Sequence, residues 1–387
     1  MFKRKDFLIF GSPLIENDEI EEVVKSMKCG WIGTGPKVQR FEEMFKEFKG
    51  VKYAMALNSC TAALHLSLNV IGIQPGDEVI VPAMTFASTA NAVIHSRGKP
   101  VLVDCQKATM NIDPQQIEAK ITPKTRAIIV VHFAGRPCEM DDIMETAQKH
   151  GLKVIEDCAH TIEAQYKGKS TGLFGDIGCF SFYVTKNIIT GEGGMAITDN
   201  EEYADKIKVL ALHGMSKDAW RRFSDEGYKH YQVVYAGYKY NMMDIQAAMG
   251  IHQLPRVESY WKRRKEIWNM YNEAFKDLPV FLPAPMREYI KHSYHLYTLL
   301  IDIDRLGITR DRFLEEITKR NIGVGVHYIA LHLHPYYQQT YGYRYGDFPN
   351  AEWISERTVS LPLSPKLTEK DVDDVIHSVY DIIKSQL

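Results

Sequence analysis

Lys186 closes the apolar run Gly178-Cys-Phe-Ser-Phe-Tyr-Val-Thr-Lys186, and the glycine-rich turn Gly191-Glu-Gly-Gly194 follows it. Burial lowers the pKa of a lysine, so one held between buried elements is a candidate Schiff-base former. An amine that attacks carbonyls points to pyridoxal phosphate, provided the chain also supplies a partner for the pyridine nitrogen and a cradle for the phosphate. Val154-Ile-Glu-Asp157 ends an apolar run in a carboxylate. A charge buried there needs a partner; a pyridinium is one, and a structural helix cap is the alternative reading. His160 stands where it could reach the cofactor ring oxygen, or be a satisfied core histidine. In Leu57-Asn-Ser-Cys-Thr-Ala-Ala-Leu64 a strand end feeds a small-residue helix start. Free N–H groups and the helix dipole favour a phosphate there, and the hydroxyls of Ser59 and Thr61 are further donors or ordinary caps. Ser181 reaches the same phosphate only if the chain bends before Lys186, because strand residues of opposite parity face opposite sides. Phe86 follows another strand and is placed either to stack on the cofactor ring or to pack in the core.

These residues need a frame that brings distant segments together. Apolar runs at Tyr53–Leu57, Glu78–Val81, Lys99–Val103, Ala127–His132, Lys153–Glu156, Gly178–Phe182 and Gly194–Thr198 read as strands. Helical patterns fall between them, at Ala62–Val70, Ser88–His95, Pro114–Ala119 and Glu139–His150. This alternation predicts βαβ units and a largely parallel sheet covered on both faces. Ligands of such sheets bind outside the carboxyl ends of the strands, where the residues above fall. Ile245–Phe275 reads as a long amphipathic helix that Pro255 should kink or split. Beyond it, Leu278–Pro285 opens a smaller α+β region with a strand at His295–Asp302 and helices at Arg310–Lys319 and Glu369–Ser385.

The chain has 387 residues and a formal net charge of −2, with 47 basic and 49 acidic side chains, so no basic face for nucleic acid is expected. The cluster Lys262–Lys265 reads as a solvated helix face. Six cysteines without a CxxC pair read as reduced thiols of a cytoplasmic protein. The apolar patch Phe7–Phe10 is too short for a signal-peptide core, and no run approaches the ~20 apolar residues of a membrane span. His327, His332 and His334 raise the question of a metal, but no acidic or Cys partner lies near them in sequence and none is expected.

The segments Asn58–His65, Glu156–His160, Phe180–Asn187, Gly191–Gly194 and Gly237–Asn241 together resemble the DegT/StrS family of nucleotide-sugar aminotransferases. The likeness runs from Gly30–Pro36 to Val359–Leu363. It implies the pyridoxal-phosphate transferase fold of type I, an α/β fold. A large cofactor-binding domain, residues 1–250, would hold a mostly parallel seven-stranded sheet, and a smaller α+β domain, 251–387, would follow a long helix around 245–275. By the same resemblance Lys186 forms the Schiff base, Asp157 pairs with the pyridine nitrogen, His160 sits near the ring oxygen and Phe86 stacks on the ring. Cys60, Thr61 and Ser181 match phosphate-binding positions, and Asn241 matches an asparagine that reaches the phosphate from the neighbouring subunit of a homodimer with shared sites. His327, Tyr328 and Tyr183 fall on the substrate side.

Within the family the likeness is greatest to enzymes that aminate UDP-4-keto-pentose, with L-glutamate as donor and 2-oxoglutarate as its product. Tyr183 stands where that subgroup has histidine, Phe86 where it has tryptophan, and the loop Tyr328–His334 also differs. Amination at C3 is the alternative. Relatives that instead remove a hydroxyl carry histidine at the lysine position, so Lys186 argues against that reaction. A cofactor-binding regulator is the rival from another class, but the chain keeps each catalytic position and has no basic helix-turn-helix segment.

Overall fold

The computed structural model describes residues 2–216 and 231–386. The first half builds strands β1 (Tyr53–Leu57), β2 (Glu78–Pro82), β3 (Lys99–Val103), β4 (Thr125–Val131), β5 (Lys153–Asp157), the short β6 (Gln165–Tyr166) and β7 (Lys169–Ser170), β8 (Ile177–Ser181) and β9 (Gly194–Thr198). Helices α1 (Asn17–Cys29) and α2 (Pro36–Lys49) precede β1, and α3 (Cys60–Val70), α4 (Ala87–His95), α5 (Pro114–Ile117) and α6 (Met140–His150) lie between strands. Then come α7 (Glu201–Ala211), α8 (Asp244–Gln253) and α9 (Val257–Phe275).

The seven-stranded sheet has the order β1-β9-β8-β5-β4-β2-β3. Pairing is parallel from β3 through β8, as βαβ crossovers dictate. Only β9 runs the other way, antiparallel to both β1 and β8. β2, β8 and β9 are buried along their whole length, which accounts for their continuous apolar runs.

Several boundaries shift by one to a few residues from the sequence reading, and three of the shifts have local physical reasons. α3 starts at Cys60 rather than Ala62, because Ser59 takes the cap position and its hydroxyl accepts from the Ala62 N–H (3.1 Å). β4 ends before His132, whose imidazole turns to Glu156 and to the Cys138 N–H. Pro255 splits the long helix: α8 stops at Gln253, a 3-10 turn spans Leu254–Arg256, and α9 starts at Val257.

After α9, β10 (Val280–Phe281), β12 (Tyr297–Ile301) and β13 (Thr358–Leu361) form a three-stranded antiparallel sheet, while β11 (Ile290–Lys291) joins β6 and β7. Its second core gathers Trp268, Tyr271 and Phe275 of α9 with Tyr297, Phe313 and Val375. The N-terminal segment packs there too: Leu8 bridges Ile322, and Arg4 pairs with Asp371 and Asp374. Among the described residues no helix is long and apolar enough to cross a membrane.

Gly194 fixes the distance between the sheet and α3. A Cβ on it would lie 2.3 Å from the Ser59 carbonyl carbon and 2.5 Å from the Cys60 nitrogen. Both are main-chain atoms, so no side-chain rotation relieves the clash. Gly194→Ala is expected to destabilise by ~1–3 kcal/mol, as overpacking does, and to weaken cofactor retention by displacing the helix start. Denaturant unfolding, together with release of bound cofactor on dilution, measures both effects.

Candidate active site

Asp157 ends β5, Lys186 follows β8, and the start of α3 is pressed against β9, so the sheet order alone brings the three segments together. The Asp157 side chain is buried; Oδ2 accepts from Thr89 Oγ1 at 2.9 Å and Oδ1 from the Ala159 N–H at 3.1 Å. Cys60 Sγ lies 3.8 Å from Oδ1. Burial raises the Asp157 pKa, against the pull of those hydrogen bonds and of Lys186. A carboxylate held in this way is stabilised by a cation placed against it.

Lys186 reaches the same interior. Burial lowers its pKa to about 8, with Asp157 and Cys60 opposing the shift. That shift alone does not identify the lysine. Burial also lowers Lys49 to about 8, yet its ammonium is spent on the Ile162 carbonyl (2.9 Å) and Ser170 Oγ (2.6 Å). Lys186 is distinguished by its company. The neutral amine is the nucleophile, so uptake of pyridoxal phosphate by the cofactor-free protein is expected to accelerate with pH through a midpoint near 8 rather than 10.5. Growth of the bound-cofactor absorbance on a pH series reads that midpoint.

The chain bends where the sequence required it. β8 ends at Ser181, and the Lys186 N–H closes a turn onto the Tyr183 carbonyl (2.8 Å). Ser181 faces Gly194 across the β8–β9 pair, and Gly194 abuts Ser59 and Cys60, so Ser181 stands beside the start of α3. The N–H groups of Cys60 and Thr61 belong to the first helical turn, where no helix carbonyl can receive them.

His160 faces the other side of the site. Its Nδ1 accepts from the Ala134 N–H (3.2 Å), so Nε2 carries the proton and donates to Tyr328 Oη (3.2 Å). Burial, then Lys186 and His327, hold it well below its ordinary pKa, so it is neutral. Tyr328 lies 5.9 Å from Phe86 between ring centroids. His327 meets Ser360 Oγ at 2.8 Å, and burial together with Lys186 lowers it to about 3. Phe86 and Tyr183 are exposed. Asn241 bridges Leu57 at the end of β1, but its side chain is turned elsewhere: its amide donates to Thr34 Oγ1 (2.6 Å), while its Oδ1 is buried without a partner.

Of the histidines weighed for a metal, His332 meets Glu352 (2.8 Å), an acid far along the chain that sequence proximity could not reveal. A different trio, His132, Glu156 and Cys158, has its ligand-type atoms within 4.8 Å of one another. Glu156, however, accepts from His132 Nε2 (3.0 Å) and from the N–H groups of Gly172, Phe174 and Gly175 (2.8, 2.6 and 2.8 Å). Burial pulls its pKa up, but the bonds from His132, Gly175 and Gly172 outweigh it and hold the carboxyl below its ordinary value. Adjacent strand residues face opposite sides, so Glu156 ties loops together while Asp157 faces the side of Lys186.

Residues 13–380 match the DegT/DnrJ/EryC1/StrS aminotransferase family. The chain belongs to that family. It is 54% identical over 380 residues to an uncharacterized protein of Methanocaldococcus jannaschii, MJ1066, covering 98% of each chain. It is 50% identical over 383 residues to the spore coat polysaccharide biosynthesis protein SpsC of Bacillus subtilis, covering 99% of this chain and 98% of that one. The putative sugar aminotransferase Spr1654 from Streptococcus pneumoniae, solved in pyridoxal and pyridoxamine phosphate forms, superimposes with TM-scores of 0.91 and 0.92. The two forms are 33% and 34% identical to this chain and cover 98% of it and all of Spr1654. DegT/DnrJ/EryC1/StrS members of this kind are pyridoxal-phosphate-dependent sugar aminotransferases, and this chain is an enzyme of that class with that cofactor.

The residues present fit the cofactor. A buried carboxylate raised in pKa suits a pyridinium, a lysine lowered to about 8 suits an aldehyde, and an uncovered first helical turn suits a phosphate. Four residues around the site escaped the sequence reading: Thr89, Asn187, Glu163 and His295. Asn187 follows Lys186 directly and Thr89 sits in the first turns of α4 beyond Phe86, so both had a positional signal. His295 and Glu163 had none, since their contacts come from folding alone.

Proposed function

We propose that this enzyme transfers the amino group of L-glutamate to C4 of a UDP-linked keto sugar, supplying an amino sugar for a surface polysaccharide. The observation that carries the reading is the convergence of Lys186, Asp157 and the open start of α3 at the ends of three strands. Likeness to SpsC supports the polysaccharide role, and the sugar aminotransferase Spr1654 supports the substrate class. A structure of DesI was solved with its TDP-sugar product, at 28% identity and a TM-score of 0.87, so dTDP is the nucleotide to test against UDP.

Bound pyridoxal phosphate supplies an aldehyde carbon that carries the amino group and a ring that takes up electrons. The chain's own residues do the rest. Asp157 keeps the pyridine nitrogen protonated, Phe86 covers the ring, and the N–H groups of Cys60 and Thr61, with Ser59 and Ser181, hold the phosphate. Lys186 Nζ, freed by the donor amine, would take the proton from the donor's α-carbon as general base and give it up again, as general acid, to the carbon on the far side of the transferred nitrogen. Neutral His160 donates through Nε2 without adding charge beside the amine. His327, Tyr328 and Tyr183 contact the sugar.

The same reading makes the protein a homodimer with shared sites, divided into a large domain over 1–250 and a smaller one over 251–387. Trp31, Ile32 and Met243 are exposed around the Thr34–Asn241 contact, an apolar surface suited to a second copy from which Asn241 reaches the neighbouring phosphate. The test runs in two halves. Glutamate alone should convert the bound aldehyde to the amine form and release 2-oxoglutarate; the amine form should then discharge onto UDP-4-keto sugars faster than onto dTDP-4-keto or 3-keto analogues. No conversion by glutamate, or preference for a 3-keto or dTDP sugar, would replace the reading accordingly.

A further inference from the structure

A buried chain of polar contacts links α9 to the residue beside Lys186, and no step described above uses it. Arg264 of α9 forms an ion pair with Glu163, both almost wholly excluded from solvent. Glu163 also accepts from Ser293 Oγ (3.1 Å) and, through both oxygens, from Asn187 Nδ2 (3.1 and 3.2 Å). The same Nδ2 donates to the Ser293 carbonyl (3.1 Å). With its donors spent, Asn187 presents Oδ1 to His295 Nδ1 at 2.9 Å. His295 therefore donates from Nδ1, and its ring lies against that of His160, 4.4 Å between centroids. His295 also bonds through its N–H to the Ala134 carbonyl (3.2 Å), on the residue whose N–H orients His160.

We propose that Glu163 is a positioning residue for Lys186: clamped by Arg264, it fixes the Asn187 amide, and through it both the main chain that carries Lys186 and the His295–His160 pair opposite. A carboxylate can only accept, so Asn187 can face it only with its NH2 group, and the acceptor that this leaves sets the tautomer of His295. A buried ion pair of this kind is weak evidence for stability and better suited to enforcing one arrangement of the groups around it. Arg264 belongs to the helix that leads into the second core, so the lysine's placement is referred to both cores.

The proposal rests on Lys186 being the cofactor lysine, which borohydride reduction and peptide mapping of the wild-type holoenzyme test separately. A failure there appears in the wild type, whereas a failure of the positioning role appears only in the variants. Asn187→Ala cuts the link and leaves the Glu163–Arg264 pair intact, so the buried charges stay compensated. Glu163→Gln keeps the shape and removes the charge. Each should lower kcat by roughly 10- to 100-fold, with KM for glutamate and sugar changed by less than about threefold, because the lost interaction matters to the transition state. In the cofactor-free protein, the pH midpoint for acetic anhydride labelling of Lys186 should rise in Asn187→Ala, where a loosened lysine gains water. It should move the same way, by less, in Glu163→Gln, where a neutral acceptor holds the Asn187 amide more weakly. The double variant should lose no more activity than the worse single one. Wild-type kcat and midpoint in Asn187→Ala, or additive losses in the double variant, would overturn the proposal. If Glu163→Gln does not fold, Asn187→Ala decides it alone.

Discussion

Lys186→Ala is expected to lower kcat by roughly 10^4-fold and to abolish the absorbance band that depends on a lysine bonded to the cofactor. General acid–base catalysis by a positioned side chain contributes ~10^2–10^4-fold, and in the proposed role this residue both moves the proton and holds the aldehyde. A factor of ~10^4 corresponds to about 5.4 kcal/mol of transition-state stabilisation. Lys186→Arg should be as impaired, because a guanidinium stays protonated and cannot act as the base. Stability should move the other way. The folded-state pKa of about 8 lies below 10.5, so the unfolded chain binds more protons between those values and stability rises with pH across that window. Below about pH 8 the buried ammonium opposes folding in full, so at pH 7 the cofactor-free alanine variant should unfold no earlier than the wild type. Stopped-flow absorbance with glutamate and thermal unfolding of the cofactor-free proteins supply the two measurements. Retention of the band together with full turnover would remove Lys186 from its assigned role.

Asp157→Asn should be the second most damaging change. The substitution keeps Oδ1 as acceptor for the Ala159 N–H and turns an NH2 group toward Thr89, whose hydroxyl can accept it while donating to Thr85, but it removes the charge proposed to hold the pyridine nitrogen protonated. Breaking a buried charge pair by removing one partner costs about 3–5 kcal/mol, which corresponds to a fall in kcat of roughly 10^2- to 5 × 10^3-fold. Without the cofactor the sign reverses. Burial raises the folded-state pKa of Asp157, so the folded protein binds the extra proton and stability falls as pH rises through that window. Asparagine escapes this penalty, and the cofactor-free variant should be more stable than the wild type at neutral pH. A variant slower with glutamate yet harder to melt without cofactor is the expected signature. Equal turnover, or a cofactor-free variant that melts earlier, would count against the role.

Much of this architecture was legible in the sequence because it is written locally. Tyr53–Leu57, Lys99–Val103 and Gly194–Thr198 are apolar runs bounded by polar or turn residues, and their ends fall where the sequence reading set them. The split at Pro255 was also local, since proline lacks the N–H a continuing helix needs. The direction of β9 was not. A buried strand reads the same in a parallel or an antiparallel pair, and only the close approach of Gly194 to Ser59 and Cys60 explains why that strand lies where it does. In the site, Lys186 and Asp157 were legible because a charged residue at the end of an apolar run is conspicuous. His295 was not, since nothing in its neighbourhood announces that its ring will rest on His160. Glu156 was masked by its neighbour, and only the fold separates the carboxylate that ties loops from the one that faces the lysine.

The reversed strand also dictates an order of assembly. β1 has a single partner in the sheet, β9, and every contact of that pair joins residues 53–57 to residues 194–198. On a growing chain the strands from β2 to β5 can pair as they emerge, but β1 must wait without a partner in the sheet until β9 has been made. β9 in turn follows directly on the segment bearing Lys186. A chain stopped short of residue 194 would therefore hold most of the sheet and no seat for its first strand. The two halves of the cofactor pocket close in one late, long-range event, the kind of contact that is slowest to form and leaves apolar edges exposed meanwhile.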